Sequence, residues 1–265
     1  MIPAIPGPGP FSELSLWGIT FVFCSYFCGF CIRGSFGFGG NLPIVLLTTW
    51  ILGPHHAIVL VVIAGLVSQI HLFPQSLRAA DRRAVRSIIM GMLAGTVIGT
   101  WLLTIVEAEE LIIIMGILIM VIVVVERYDL VQRLSRTLDL RSRKLTTAIA
   151  FTAGSMGTLS GGGGMYFMVT YIRHLCPTPA VFRSTLIMLT AFFMVTRVGT
   201  FAVAGMIPVG LIVESILLIP AIFVGTLAGT RIFRTTRPER FYGALQVLLF
   251  LAAAALVWKG IILIW

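Results

Sequence analysis

A run of glycines inside a hydrophobic chain is the feature that most limits what this sequence can become. Ser35 to Asn41 reads Ser-Phe-Gly-Phe-Gly-Gly-Asn, and a degenerate copy, Thr-Leu-Ser-Gly-Gly-Gly-Gly, occupies Thr158 to Gly164 at an offset of 123 residues. The same offset carries Pro54 onto Pro177 and Ala57 onto Ala180. Further along, Gly95-Thr96-Val97-Ile98-Gly99-Thr100 matches Gly225-Thr226-Leu227-Ala228-Gly229-Thr230, now at an offset of 130. Glycine is a poor helix former. In lipid, backbone that leaves the helix strands its N–H and C=O groups, so such breaks persist only where protein or a water-filled cavity surrounds them. Two broken helices at corresponding positions in two halves mark a transporter's binding site. The simpler role for glycine, close helix packing, fits Gly95, Gly99, Gly225 and Gly229, which have the GxxxG spacing of small-residue interfaces.

Composition places those breaks in a membrane. Of 265 residues, 58% are hydrophobic and only 11% charged, too little charge to cover a soluble fold of this size. The net charge of +9 does not point to nucleic acid, because the basic residues lie in short loops between apolar segments, where they set topology. The N-terminus lacks a basic region before its apolar stretch, so no cleavable signal is expected. Cys24, Cys28 and Cys31 form one stripe of the first apolar segment. With no histidine or carboxylate beside them they read as small packing residues, not metal ligands. No metal and no cofactor is expected.

Apolar segments fall at about 14–33, 42–52, 57–77, 87–106 and 111–126, then at 145–160, 165–175, 178–204, 210–231 and 241–265. The segments 42–52 and 165–175 are short of the roughly 20 residues a spanning helix needs. Each follows a glycine break and is expected to form a helical hairpin with the segment before it. The expected fold is an all-α polytopic membrane protein of two repeats, residues 1–126 and 145–265, joined by a basic linker at 127–144. Each repeat has a glycine-broken hairpin plus three spanning helices.

Charge sets the relation between the repeats. Arg78, Arg82, Arg83 and Arg86 form one basic loop, and Arg127, Arg133, Arg136, Arg141, Arg143 and Lys144 another. Two spanning segments separate them, with Glu107, Glu109 and Glu110 at the turn between. Arg231, Arg234, Arg237 and Arg240 follow segment 210–231. All three clusters fit a cytoplasmic face, which puts both termini outside. The basic loop precedes the Gly-Thr-x-x-Gly-Thr helix in the first half and follows it in the second, so the repeats are expected to have inverted topology.

The candidate substrate site joins the two breaks. Ser35, Gly37, Gly39, Gly40 and Asn41 come from the first, and Thr158, Ser160, Gly161, Gly162 and Gly163 from the second. Arg197 lies inside an apolar segment with Arg183 near its start, and Ser68, Gln69 and His71 occupy the related segment 57–77. Ionisable groups at membrane depth cost at least about 2.5 kcal/mol and mark function by default. Snorkelling to an interface is the competing account for Arg183, Arg197, Arg33 and Arg173. His55 and His56 read as turn residues. With arginines, hydroxyls and helix N-termini but almost no buried carboxylate, the site suits an anion. Glu214 and His71 are the main candidates for carrying a proton.

These residues resemble the sulfite exporter TauE/SafE family. The resemblance rests on the first-half Gly-Phe-Gly-Gly-Asn with Pro43 beyond it, and on the second-half Ser-Gly-Gly-Gly-Gly followed by Arg183-Ser184-Thr185. Asn41 stands where a further glycine is usual in that family. The resemblance implies a transporter of sulfite, sulfoacetate or related sulfonates across the bacterial inner membrane, with the bilayer and a small anion as partners. It leaves a homodimer open. Export needs no coupling ion, whereas uptake would need protons. An intramembrane enzyme would require a nucleophile–base pair or metal ligands at depth, for which Cys24, Cys28, Cys31 and His71 are the only raw material.

The swapped charge pattern makes a direct prediction. In a background free of native cysteines, cysteines placed at Ala108 and Gly205 should label from outside, and those at Ala80 and Thr236 from the cytoplasm. Labelling of Ala108 and Thr236 from the same side would refute the inversion.

Overall fold

A computed structural model describes residues 11, 14–36, 39–76, 82–128, 142–176, 178–232 and 238–264. Those residues form helices and turns with no strand among them. In chain order the helices are α1 (Leu16–Phe36), α2 (Asn41–Leu52), α3 (Pro54–Ser76), α4 (Arg82–Ile105), α5 (Ala108–Arg127), α6 (Arg143–Leu159), α7 (Gly164–Leu175), α8 (Pro179–Val203), α9 (Val209–Leu217), α10 (Ile219–Ile232) and α11 (Pro238–Ile264). Five helices are long and apolar enough to cross a membrane, and α9 with α10 makes a sixth span bent by 43°.

Both short helices fold back on their predecessors. Ile44 of α2 lies against Gly29 of α1, and Gly40 fits between Gly29 and the Arg33 stem. In the second half Gly164 packs on Ala153 and Gly157, while Thr146 Oγ1 and Tyr171 OH share a 2.6 Å hydrogen bond. Each break therefore opens a hairpin that returns toward the end it came from.

Two boundaries differ from the sequence reading. The helix α1 runs through Ser35 to Phe36, so Ser35 belongs to the helix and not to the break. Its hydroxyl donates to the Cys31 carbonyl one turn back and to Gly229 of α10. Thr158 is likewise helical and donates to Gly154 one turn back. The apolar segment 210–231, expected as one helix, is interrupted at Leu218. Pro220 accounts for it, since proline has no N–H to donate and its ring clashes with the carbonyl one turn back.

Glycines bring the closest helix pairs together. On α4, a Cβ at Gly91, Gly95 or Gly99 would strike backbone of α6 at Thr147, Phe151 and Ser155. On α10, a Cβ at Gly225 or Gly229 would strike α1 backbone at Phe27 and Cys31, and one at Gly34 would strike Thr226. The central pair, α5 and α11, is joined the same way, Gly116 seating Val257 and Gly260 seating Ile113. These small-residue contacts allow dispersion forces to act where lipid offers no hydrophobic drive. The pairing is crosswise: α1 with α10, α4 with α6.

The four described tryptophans gather at one end of the bundle. Trp17 opens α1, Trp50 closes α2, and Trp101 and Trp258 lie near the ends of α4 and α11, all exposed. Lys259 stands over the Trp50 ring at 4.7 Å and donates to its carbonyl. At the same end His55 bonds the Leu103 carbonyl. Aromatic rings with a polar edge favour the headgroup level, so this end, with the α2–α3 turn, marks one membrane interface.

The seams make stability predictable. Gly95→Ala and Gly229→Ala should each lower the thermal unfolding free energy in detergent by at least about 1–3 kcal/mol through overpacking. Gly199→Ala and Gly210→Ala, where a Cβ meets nothing within 4 Å, should stay within about 0.5 kcal/mol of the parent or stabilise it. Equal effects at all four positions would mean the seams are not where these glycines act.

Candidate functional site

The two breaks meet inside the protein. Gly39, at φ +86°, turns its carbonyl to accept a 2.8 Å hydrogen bond from Tyr166 OH of α7. Gly162, at φ +140°, lies against Asn41, whose Cβ would be 3.0 Å from a Cβ there. Gly161 packs on Val45 and Gly163 beside Leu42 and Ile122. At φ +86° and +140° side chains are strained, and a Cβ at Gly39 would also stand 2.8 Å from Tyr166 OH. The N-termini of α2 and α7 consequently face one shared region. Each carries the positive end of a helix dipole, and at α7 the N–H groups of Gly163, Met165 and Tyr166 are already taken, by Ser160 Oγ and by the Gly162 and Gly163 carbonyls.

Two arginines are buried beside these breaks. Arg33 of α1 is 2% exposed and donates from Nη1 to Asn41 Oδ1 at 3.2 Å, with its guanidinium 5.7 Å from the Phe30 ring centre. Its Nε and Nη2 have no hydrogen-bond partner. Arg197 of α8 is 0% exposed and donates from Nη2 to the Thr158 carbonyl at 3.2 Å. It stands 5.2 and 5.4 Å from the Phe193 and Phe201 rings, and its Nε and Nη1 have no partner. Thr158 sits in the last turn of α6, so Arg197 satisfies one of the carbonyls a helix end leaves open. Neither arginine has a carboxylate as a partner. A buried cation without a counter-charge is expensive, and ring faces recover only part of that.

Gly65 of α3 makes room beside Arg33. A Cβ there would stand 3.3 Å from Arg33 Nη1, 3.4 Å from Met194 Sδ and 3.7 Å from Asn41 Nδ2. One turn on, Gln69 is buried with Oε1 lacking a partner, and Ser68 donates to the Gly65 carbonyl.

The expected site residues divide into groups. Gly39, Asn41, Gly161, Gly162 and Gly163 make contacts across the two breaks, whereas Gly40 packs on Gly29 and Arg33 within its own hairpin. Ser160 is spent locally, donating to Met156 and accepting from the Gly163 N–H. Thr158 and Ser35 have their hydroxyls on helix backbone and lie on the glycine seams, Thr158 against Gly99 and Ser35 on Gly229. Gly37 lies outside the described residues, as do the side chains of His71 and Arg183. Tyr166 is the participant that residue patterns alone did not single out, and Arg33, for which snorkelling was the competing account, is buried beside the first break. Among the described residues no cluster of three histidine, cysteine or acidic groups is arranged for a metal.

A comparison with curated proteins and one with solved structures each returned no match. A family model does match, over residues 21–256, which takes in both breaks, both arginines and every described helix from α2 to α10. The chain belongs to the sulfite exporter TauE/SafE family, and is thus a multi-pass membrane transporter of sulfur-containing anions and not an enzyme.

Proposed function

We propose that the protein exports small organosulfur anions, sulfite or sulfonates such as sulfoacetate, across the bacterial inner membrane. The observation that carries this reading is the pair of buried guanidiniums, Arg33 and Arg197, each with two unpartnered nitrogens and no carboxylate partner, beside two converging helix N-termini. A sulfonate's oxygens accept from such donors. A planar guanidinium also binds an oxyanion through two parallel bonds, which an ammonium does not.

The crosswise contacts support inverted repeats as the frame. Exchanging α1 with α6, α2 with α7, α3 with α8, α4 with α9–α10, and α5 with α11 maps the α1–α10 seam onto the α4–α6 seam. It also maps α1–α2 onto α6–α7 and the α5–α11 and α3–α8 pairs onto themselves. The moving bodies are then not the sequence halves. One is α1, α2, α3 with α9–α10; the other is α6, α7, α8 with α4. Substrate sits where they meet, and rocking of one on the other exposes it alternately.

With the basic loops in the cytoplasm, the tryptophan end and both termini face outward. An inside-negative potential then favours anion exit by about 2.3 kcal/mol per charge per 100 mV, so export needs no coupling ion. Proton-coupled uptake is the second reading, and it rests on the buried His56–Glu214 pair at the outer end.

Binding of sulfite, sulfoacetate, isethionate, taurine and sulfate to the purified protein tests the assignment, with sulfite or a sulfonate expected to bind best. Arg197→Lys and Arg33→Lys should each weaken that binding at least tenfold, about 1.4 kcal/mol, with thermal stability recorded alongside. Parent-like affinity in both variants would make the arginines structural struts and leave the glycine breaks alone to hold the anion. Preference for taurine, a zwitterion, would also contradict the reading.

A further inference from the structure

The end of the bundle that carries the α2–α3 turn holds a buried acid–base pair which anion binding does not use. Glu214 of α9 and His56 at the start of α3 are 5% and 7% exposed, and His56 Nε2 lies 2.6 Å from Glu214 Oε2. The other carboxylate oxygen accepts a 3.1 Å hydrogen bond from the backbone N–H of Phe11, which precedes the first helix. Phe11 is itself buried, with its ring 6.5 Å from that of Phe23. Its φ of +54° is an outlier for a bulky residue, held only where surroundings compensate. One carboxylate thus joins Phe11, α3 and the bent α9–α10 span.

We propose that the His56–Glu214 pair is a proton-binding site, and that a proton taken up there releases Phe11 and frees this end of the bundle to open. The proposal rests on the transporter reading for its purpose and on this cluster alone for its chemistry. Full protonation of the pair leaves a neutral carboxyl beside an imidazolium. The carboxyl is then a weaker acceptor for the Phe11 N–H, since charge-assisted bonds are about twice as strong as neutral ones. The site also acquires a buried positive charge without a partner, which favours a state that admits water. Among the described residues the other titratable group in reach is Tyr26 of α1, fully buried, with no partner on its hydroxyl. His55, the neighbour of His56, turns instead to Leu103 of α4, with Glu109 beyond it. Ser215, next to Glu214, donates to the Ile212 carbonyl.

Hydrogen exchange of the Phe11 amide reads the release directly and needs no anion, so it stands or falls apart from the binding screen. The full-length protein in detergent is compared between pH 8 and pH 5, with rates corrected for the intrinsic pH dependence of exchange. Protection at Phe11 should fall at least tenfold toward pH 5 in the parent. In Glu214→Gln it should be low throughout and independent of pH, while α5 stays protected as the measure of folding. His56→Gln provides a second variant should Glu214→Gln not fold, and it should likewise lose the pH dependence. Constant protection in the parent across this range would overturn the proposal. So would a pH-dependent fall that persists in both variants.

Discussion

Backbone that leaves the helix at membrane depth must find partners in protein, and much of this structure follows from how that demand is met. At the first break the Gly39 carbonyl is taken by Tyr166 from the opposite half. At the second the Gly163 N–H is taken by Ser160, and the Thr158 carbonyl by Arg197. Each break is therefore completed by its own turn and by groups far away in sequence. That is possible only if the breaks lie together, and once they do, two helix N-termini face the same region. The electrostatic setting of the breaks follows from satisfying the backbone.

Glycine does two separate jobs, distinguished by conformation. Gly39, Gly161 and Gly162 have positive φ and shape the breaks. Gly95, Gly99, Gly225 and Gly229 are helical and let backbones touch across the seams. The seams also use hydroxyls from the edges of the breaks: Thr158 rests on Gly99, and Ser35 bonds Gly229. The motifs that bound the breaks are thus in direct contact with the motifs that build the seams.

Helix boundaries and the two breaks were largely legible from hydropathy and glycine clustering. Ser35 was read as part of the break because serine next to glycine favours turns. Its i−4 bond to Cys31 and its bond to α10 keep it helical. The interruption at Leu218 was hidden by unbroken hydropathy, although Pro220 was visible in the sequence. Arg33 stood at the apparent end of an apolar segment and looked interfacial, whereas the helix runs a further turn and buries it. GxxxG spacing announced close packing but carried no information about the partner. Pairing of His56 with Glu214 spans 158 positions, and a single sequence has no signal for that.

The crosswise seams have a consequence for biogenesis. Ser35 meets Gly229 across 194 positions, so α1 enters the bilayer long before α10 exists. At about 5–20 residues per second, its glycine face waits roughly 10–40 s for a partner. During that interval Arg33, which Asn41 of the adjacent hairpin reaches early, sits in an unfinished assembly, and α4 likewise awaits α6. Neither half closes on its own seam. Separately expressed halves would thus gain their tight helix packing only from each other, and the single chain ensures that the second half follows the first into the same membrane.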